Sequence, residues 1–162
     1  MLNIFIKIFT VIFLISSPIY SFEVKWVVDG LNEPESVIFD KKNSVIYISN
    51  INGDPLKLDK NGYISKISID GQILDKKWIT GLDAPKGMAI FKDHLFVADI
   101  NKIWRINTLT KKKKIFSVND AGFLNDLVVD KKGLIYASDM FKNRIYQLKN
   151  ENITIWKQSK LL

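Results

Sequence analysis

The sequence predicts an all-β protein built from repeats of a four-stranded unit. Its apolar segments are short and rich in β-branched and aromatic residues, and no helical periodicity competes with them after residue 21. The dipeptides between them are typical of tight turns: Asn52-Gly53, Asn61-Gly62, Asp70-Gly71 and Lys132-Gly133. One strand pattern also recurs, with spacings of 51 and then 39 residues between Val37, Met88 and Leu127.

Residues 1–21 form the first predicted element, and they differ from the rest of the chain. One lysine precedes an apolar run from Ile8 to Ile15, and Ser16, Ser17 and Pro18 follow it. This order predicts a secretory signal peptide that is cleaved after Ser21. The alternative is an uncleaved anchor, but the run is shorter than the roughly 20 residues that span a bilayer. We therefore expect a periplasmic or secreted protein, residues 22–162, with no membrane contact after cleavage.

A single strand is predicted next, at residues 22–28. Its core, Lys25-Trp26-Val27-Val28, is followed by Gly30-Leu31, just as Lys77-Trp78-Ile79-Thr80 is followed by Gly81-Leu82. The second of these segments is the last strand of a repeat. By analogy, residues 22–28 are expected to be the outermost strand of a unit whose other three strands are supplied elsewhere.

Three complete repeats follow, at residues 31–80, 82–118 and 123–157. Each has a second strand that ends in a polar residue and a fourth strand that carries a large aromatic residue. The polar residues are Asn50, Asp99 and Asp139, and the aromatic residues are Trp78, Phe116 and Trp156. The repeat length brackets the roughly 40 to 50 residues of a four-stranded propeller blade. The pattern therefore favours a β-propeller with antiparallel blades over its alternative, an ordinary antiparallel sandwich.

Composition excludes several kinds of site. With no cysteine among 162 residues, the chain has no disulfide, thiol nucleophile or Cys-ligated zinc. Its single histidine, His94, lies in a predicted turn and is expected to be exposed and inert. The net charge of +7 comes mainly from scattered lysines, whose one dense run, 111–114, is expected to be a solvated turn. Nucleic-acid binding is not expected, because such proteins usually interleave arginine with aromatic residues.

Two segments resemble a known family. The segment from Glu35 to Asp40, and the segment from Asn125 to Asp130 with Gly133 to Tyr136, look like blades one and three of senescence-marker-protein/gluconolactonase propellers. These are relatives of paraoxonase, strictosidine synthase and NHL-type propellers. The family has six blades, so the resemblance implies that about three of six are present, corresponding to its N-terminal half. We expect either a truncated reading frame or a ring that two copies close by self-association.

The resemblance also implies a site where the innermost strands begin. Family members hold a divalent metal there, and for this chain the implied ion is calcium or zinc. Glu35 would be a metal ligand, and Asn125 a metal ligand or substrate contact. Lys86 shares their register and would balance Glu35 or bind substrate. The alternatives are a solvent-facing carboxylate at Glu35, an Asx turn in which Asn125 and Asp126 bond their own backbone, and a surface lysine at Lys86. The repeated Asn50, Asp99 and Asp139 are expected to be structural turn caps.

The implied activity is metal-dependent hydrolysis of a small lactone or ester. Phe123 departs from the family, which has an arginine at this position to hold substrate. The remaining family ligand and base would fall beyond Leu162, so we expect the chain alone to be inactive. The alternative is a non-catalytic periplasmic propeller that binds a small molecule or a protein.

Overall fold

The computed structural model describes residues 23–160, which form twelve strands and no helix. Each group of four consecutive strands pairs in sequence order as one antiparallel sheet. The first sheet contains β1 (Pro34–Asp40), β2 (Val45–Asn50), β3 (Gly62–Ser68) and β4 (Ile73–Leu82). The second contains β5 (Pro85–Phe91), β6 (His94–Asp99), β7 (Lys102–Asn107) and β8 (Lys113–Ser117). The third contains β9 (Leu124–Val129), β10 (Ile135–Asp139), β11 (Arg144–Lys149) and β12 (Asn152–Gln158).

The three sheets, blades 1 to 3, pack face to face along their first strands. β5 lies between β1 and β9, so blade 2 is covered on both faces. One hydrophobic cluster fills the space between blades 1 and 2, and includes Tyr47, Trp78, Leu95 and Trp104. A second fills the space between blades 2 and 3, and includes Phe96, Ile103, Ile135 and Tyr146. A sandwich would have one core between two sheets, so this arrangement confirms the propeller and excludes the alternative.

Each blade has two faces, which strand alternation keeps distinct. The forward face points toward the next blade along the chain, and the back face toward the previous one. Blade 1 uses Tyr47 and Ile64 on its forward face, and blade 3 uses Leu127 on its back face. The two outward faces, the back of blade 1 and the front of blade 3, expose apolar side chains to solvent.

The polar residue that ends each second strand holds the loop that enters its own blade. Asp139 accepts hydrogen bonds from the backbone N–H groups of Gly122 and Phe123, at 2.8 and 3.0 Å. Asp99 accepts from the backbone N–H groups of Asp83 and Ala84 in the same way. Asn50 accepts a longer bond from the N–H of residue 32. These contacts confirm the structural role expected for the three residues.

The segment before blade 1 contacts the β3–β4 turn of that blade. Residues 23–29 form no strand within the described part of the chain. The indole ring of Trp26 nevertheless packs on Gly71 in the β3–β4 turn, where an added Cβ would lie 2.8 Å from the ring. Pairing of residues 22–28 as an outermost strand therefore stays a prediction, since its partner strands are not part of blades 1 to 3.

The predicted signal peptide, residues 1–21, lies outside the described residues. Between residues 23 and 160 no helix could serve as a membrane span.

Candidate functional site

The first strands of the three blades begin at the same end of the structure. We call this region the inner mouth: residues 34–36 of β1, 85–87 of β5 and 124–126 of β9. The strand pairing is irregular at each of these starts, between Pro34 and Ser36, between Pro85 and Met88, and opposite the stretch from Ala137 to Asp139. Such irregularities re-aim side chains and are common beside functional sites.

Glu35 lies at the inner mouth within electrostatic reach of two other blades. Glu35 as a whole residue is exposed on β1, as its solvent-facing alternative expects. Local desolvation of its carboxyl group nevertheless raises the pKa, the positive charge of Lys86 opposes this shift, and the negative charge of Asp126 adds to it. Three successive innermost strands therefore contribute one charged group each to the same small region. The structure thus brings Glu35 and Lys86 together, as their shared register in the sequence suggested.

Lys86 is buried, with a relative exposure of 2%. Its Nζ donates hydrogen bonds to the carbonyl oxygens of Ala84, at 2.8 Å, and Pro55, at 3.1 Å. The same ammonium lies 4.3 Å from the ring centroid of Phe123. Burial lowers the pKa of Lys86, while the charges of Asp99 and Glu35 counteract the shift. The surface-lysine alternative is therefore wrong, and the bonded amine is poorly placed to hold a substrate.

Phe123 explains one departure from the resembled family. Its ring is buried between the Lys86 ammonium and the ring of Phe141, whose centroid is 5.0 Å away. An aromatic face stabilises a cation through its quadrupole. Where the family has a substrate-binding arginine, this chain therefore has a hydrophobic support for a lysine that is already in place.

Asn125 lines a hollow that Glu35 and Lys86 do not share. It is half-buried on β9 and lines an open hollow of about 320 Å³ together with Asp139, Met140, Arg144 and Ile145. The hollow lies on blade 3, so Asn125 faces a different environment from Glu35. Its roles as a metal ligand and as a substrate contact, like the ligand role of Glu35, stay predictions.

Asp126 is the member of the cluster that the register of Glu35, Lys86 and Asn125 did not single out. Its carboxylate accepts a hydrogen bond from the backbone N–H of Leu127 at 2.8 Å. Leu127 is the next residue, whereas an Asx turn would join the side chain to the backbone two residues on. It lies beside Gly87, where an added Cβ would be 2.7 Å from the Asp126 Cα. Glycine at this position allows β9 to approach β5 closely. In the sequence, a glycine in one repeat opposite a carboxylate in the next repeat could have indicated that Asp126 belongs to the cluster.

The donors at the inner mouth match a divalent cation in kind but not in number. Calcium takes six to eight oxygen ligands, and carboxylates are among those it prefers. The cluster offers two carboxylates, and within residues 23–160 no group of three or more acidic, histidine or cysteine side chains could hold a metal. The Lys86 ammonium adds a positive charge within electrostatic reach of Glu35, which disfavours a second cation there. The described residues therefore do not form a complete metal site.

His94 is half-buried, so the expectation of an exposed histidine is wrong. It begins β6, and its ring centroid lies 6.5 Å from that of Phe96. Burial, followed by the nearby charge of Arg105, lowers its pKa. The ring therefore belongs to the rim of blade 2, away from the inner mouth.

No protein-family model matches the chain, and no curated protein matches it. Solved structures do match. A gluconolactonase from Xanthomonas campestris is 16% identical with a TM-score of 0.61, over 85% of this chain and 51% of its own. A calcium-binding protein, regucalcin, from Agrobacterium tumefaciens is 14% identical with a TM-score of 0.60, over 77% of this chain and 45% of its own.

Virginiamycin B lyase from Staphylococcus aureus is a third match. It is 20% identical with a TM-score of 0.62, over 82% of this chain and 43% of its own. The three matches establish the propeller fold, in agreement with the resemblance seen in the sequence. This chain spans about half the length of each solved structure.

Proposed function

We propose that this chain is part of a gluconolactonase-like propeller that binds a cation or a small polar ligand at the inner mouth. The observation that carries the proposal is the convergence of Glu35, Lys86 and Asp126 from three successive innermost strands. A carboxylate that is partly desolvated beside another carboxylate is destabilised in its charged form. A bound cation relieves that repulsion, so binding and ionisation of Glu35 favour each other.

The cation proposed is divalent, with calcium favoured over zinc. The donors available are oxygens, and one structural neighbour is described as a calcium-binding protein. Because the chain supplies two carboxylates at the mouth, the remaining oxygens would come from water, from the small-molecule ligand or from further blades. Binding to the chain alone is therefore expected to be weak.

Hydrolysis of a small lactone or ester is the activity that the family resemblance supports. In such a reaction a metal would polarise the carbonyl, and a second group would activate water. We propose that Glu35 is the residue of this chain that would hold the metal. We propose that blades 1 to 3 alone do not hydrolyse lactones, because the cluster lacks the remaining donors.

A non-catalytic binding propeller is the second candidate, and the environment of Lys86 favours it. The Lys86 ammonium, which is the positively charged group of the inner mouth, donates hydrogen bonds to two carbonyl oxygens and is covered by the ring of Phe123. It is therefore not free to orient an anionic substrate. Under this alternative, the mouth holds a ligand without chemical turnover.

Calorimetric titration with calcium and then zinc tests the site. The parent protein is expected to bind calcium, and Glu35→Gln and Asp126→Asn should each weaken binding at least tenfold. Glu151→Gln is the matched control, because this exposed carboxylate on the outer rim pairs with Arg105 and Lys114. Absence of binding by the parent protein, or an equal loss in the control, would contradict the proposed site.

Activity is measured separately, by following proton release from gluconolactone at constant pH with and without calcium. No acceleration over the uncatalysed reaction is expected. Calcium-dependent turnover that Glu35→Gln abolishes would show that the chain is itself a hydrolase and would overturn the proposed inactivity.

We also propose export to the periplasm or the medium, for which residues 1–21 carry the signal. The first residue of the exported protein should be Phe22. Recovery of a cytoplasmic chain that begins at Met1 would contradict export.

A further inference from the structure

The forward face of blade 3 contains an open apolar cleft. Val128, Tyr136, Ile145 and Trp156 line it together with two polar residues, Asp126 and Ser138, and its volume is about 370 Å³. Tyr136 and Trp156 meet edge to face, with ring centroids 5.1 Å apart. Trp156 is 56% exposed. A surface tryptophan, a tyrosine and two aliphatic side chains in one patch are characteristic of an interaction surface.

The internal repeat shows what normally covers such a face. The equivalents of Tyr136, Ile145 and Trp156 in blade 2 are Phe96, Ile103 and Phe116. All three are buried in the cluster between blades 2 and 3. Phe116 is 7% exposed, against 56% for Trp156. The partner that buries the blade 2 residues is the back face of the next blade, so the cleft on blade 3 has the shape and chemistry of a blade-binding face.

The same chain carries an uncovered back face on blade 1. Val37 and Phe39 point away from blade 2, and Val37 is 67% exposed. Val37 is the repeat equivalent of Met88 and Leu127, which are both buried against the preceding blade. One molecule therefore presents both halves of a blade–blade interface, and each half lacks a partner within residues 23–160.

We propose that the occupant of both faces is a second copy of this chain. The forward face of blade 3 in one copy packs on the back face of blade 1 in the other, and a twofold axis repeats the contact. The two contacts close a ring of six blades. This chain covers 43 to 51% of each matched propeller structure, so two copies are enough to supply the blades of one such structure. Closed cyclic symmetry leaves neither face exposed.

The segment before blade 1 adds a specific prediction about dimerisation. Trp26 packs on the β3–β4 turn of blade 1, and Trp78 lies beside the equivalent β7–β8 turn of blade 2, with Lys111 Nζ 5.9 Å from its ring. Trp156 is the repeat equivalent of Trp78. In the ring, Trp156 of the second copy would therefore lie beside the β3–β4 turn of blade 1, where Trp26 lies in the single chain. Assembly displaces Trp26, so weakening its contact favours the dimer.

Sedimentation velocity over a range of protein concentrations tests the ring. The purified protein should form dimers. Trp156→Asp and Phe39→Asp should each weaken dimerisation at least tenfold, because each places a charge on one of the two faces. Trp26→Ala should strengthen it. Leu109→Asp is the matched control, since Leu109 is an exposed apolar residue in the β7–β8 turn, and it should leave the dimer unchanged.

Mixing the variants separates this arrangement from other dimers. Trp156→Asp retains an intact back face and Phe39→Asp an intact forward face, so the mixture should form heterodimers held by one native contact. Far-ultraviolet circular dichroism of each variant verifies that it is folded. A strict monomer at high concentration overturns the proposal. So does a dimer lost in Trp156→Asp but unchanged in Phe39→Asp, since two blade 3 faces would then meet. Polymers that grow with concentration contradict the closed ring.

This proposal rests on the fold and not on the proposed function. Loss of calcium binding leaves the dimer prediction intact, and a monomer leaves the calcium titration interpretable.

Discussion

The same tyrosine–tryptophan pair occurs twice in this molecule in opposite environments. Tyr47 and Trp78 of blade 1 stack with centroids 4.6 Å apart, and Tyr47 has an exposure of 0%. Their repeat equivalents in blade 3, Tyr136 and Trp156, keep the contact at 5.1 Å but face solvent. The difference lies in blade 2, which covers the first pair. Burial in this fold is therefore decided by the neighbouring blade and not by the strand sequence.

This comparison has an energetic meaning. A fully buried aliphatic or aromatic side chain contributes roughly 1.5 to 3 kcal/mol relative to an exposed one. In repeat architectures, such contributions come mainly from interfaces between neighbouring repeats. Blade 2 has two interfaces, and blades 1 and 3 have one each within the described chain. Equivalent substitutions should therefore have unequal effects.

The largest loss of stability is expected from a substitution in the covered face of blade 2. Ile103→Ala removes a side chain with 0% exposure from the cluster between blades 2 and 3. It should lower the free energy of unfolding by about 2 to 5 kcal/mol. The equivalent change in blade 3, Ile145→Ala, should cost less than about 1 kcal/mol in the monomer. Urea unfolding followed by tryptophan fluorescence measures both, and equal losses would show that the two faces do not differ.

A smaller loss of stability is expected when Lys86, the buried lysine of the inner mouth, is replaced. Lys86→Met leaves the carbonyl oxygens of Ala84 and Pro55 without their donor and should cost about 1 to 3 kcal/mol at neutral pH. Lys76→Met, on an exposed lysine of blade 1, is the control and should be nearly neutral.

The difference in stability between the parent protein and Lys86→Met should change with pH in a definite direction. The pKa of Lys86 is lowered in the folded protein from the ordinary value of 10.5. Between the two values the unfolded chain binds more protons, so the stability of the parent protein rises with pH in this window. Urea unfolding from neutral pH up to pH 10.5 should therefore show an increasing gap between the parent and Lys86→Met. A constant gap would mean that Lys86 titrates normally.

The smallest changes in stability are expected from substitutions of the two equivalent tyrosines, Tyr47 in blade 1 and Tyr136 in blade 3. The Tyr47 hydroxyl is buried without a hydrogen-bond partner among the described residues, and burial together with Asp40 raises its pKa to about 12. Tyr47→Phe removes an unsatisfied polar group and should raise stability by up to about 1 kcal/mol. Tyr136→Phe, on the open face, should be neutral within about 0.5 kcal/mol. A clear loss in Tyr47→Phe, measured by thermal unfolding, would indicate an unseen partner for the hydroxyl.

The blades were predictable because each repeat uses the same alternating positions. The tyrosines of β2 and β10 and the tryptophans of β4 and β12 occupy equivalent places in sequence and in structure. Asp99 and Asp139 were correctly assigned a structural role, since a polar residue kept in every repeat serves the repeat itself; the structure shows that this role includes anchoring the entry loop. Local patterns of this kind can be read directly from a single sequence.

The inner mouth was predictable only in part. The shared register of Glu35 and Lys86 agrees with their electrostatic interaction in the structure, which also involves Asp126, a residue outside that register. The roles predicted for Asn125 stay predictions. Irregular pairing at the start of each innermost strand changes the direction of the side chains, and no residue type marks these irregularities. The burial of Lys86 depends on Pro55 and Phe123, which lie 31 residues before and 37 after it. Such contacts depend on how the blades meet.

The loop anchors also have a consequence for how the chain folds. Asp99 and Asp139 bind backbone groups only 15 to 17 residues earlier in the sequence. Both contacts stay within a single blade, so closing them costs little chain entropy. Each blade can therefore order its own entry loop before the next blade is complete, and the interfaces between blades can form in the order in which the ribosome delivers them.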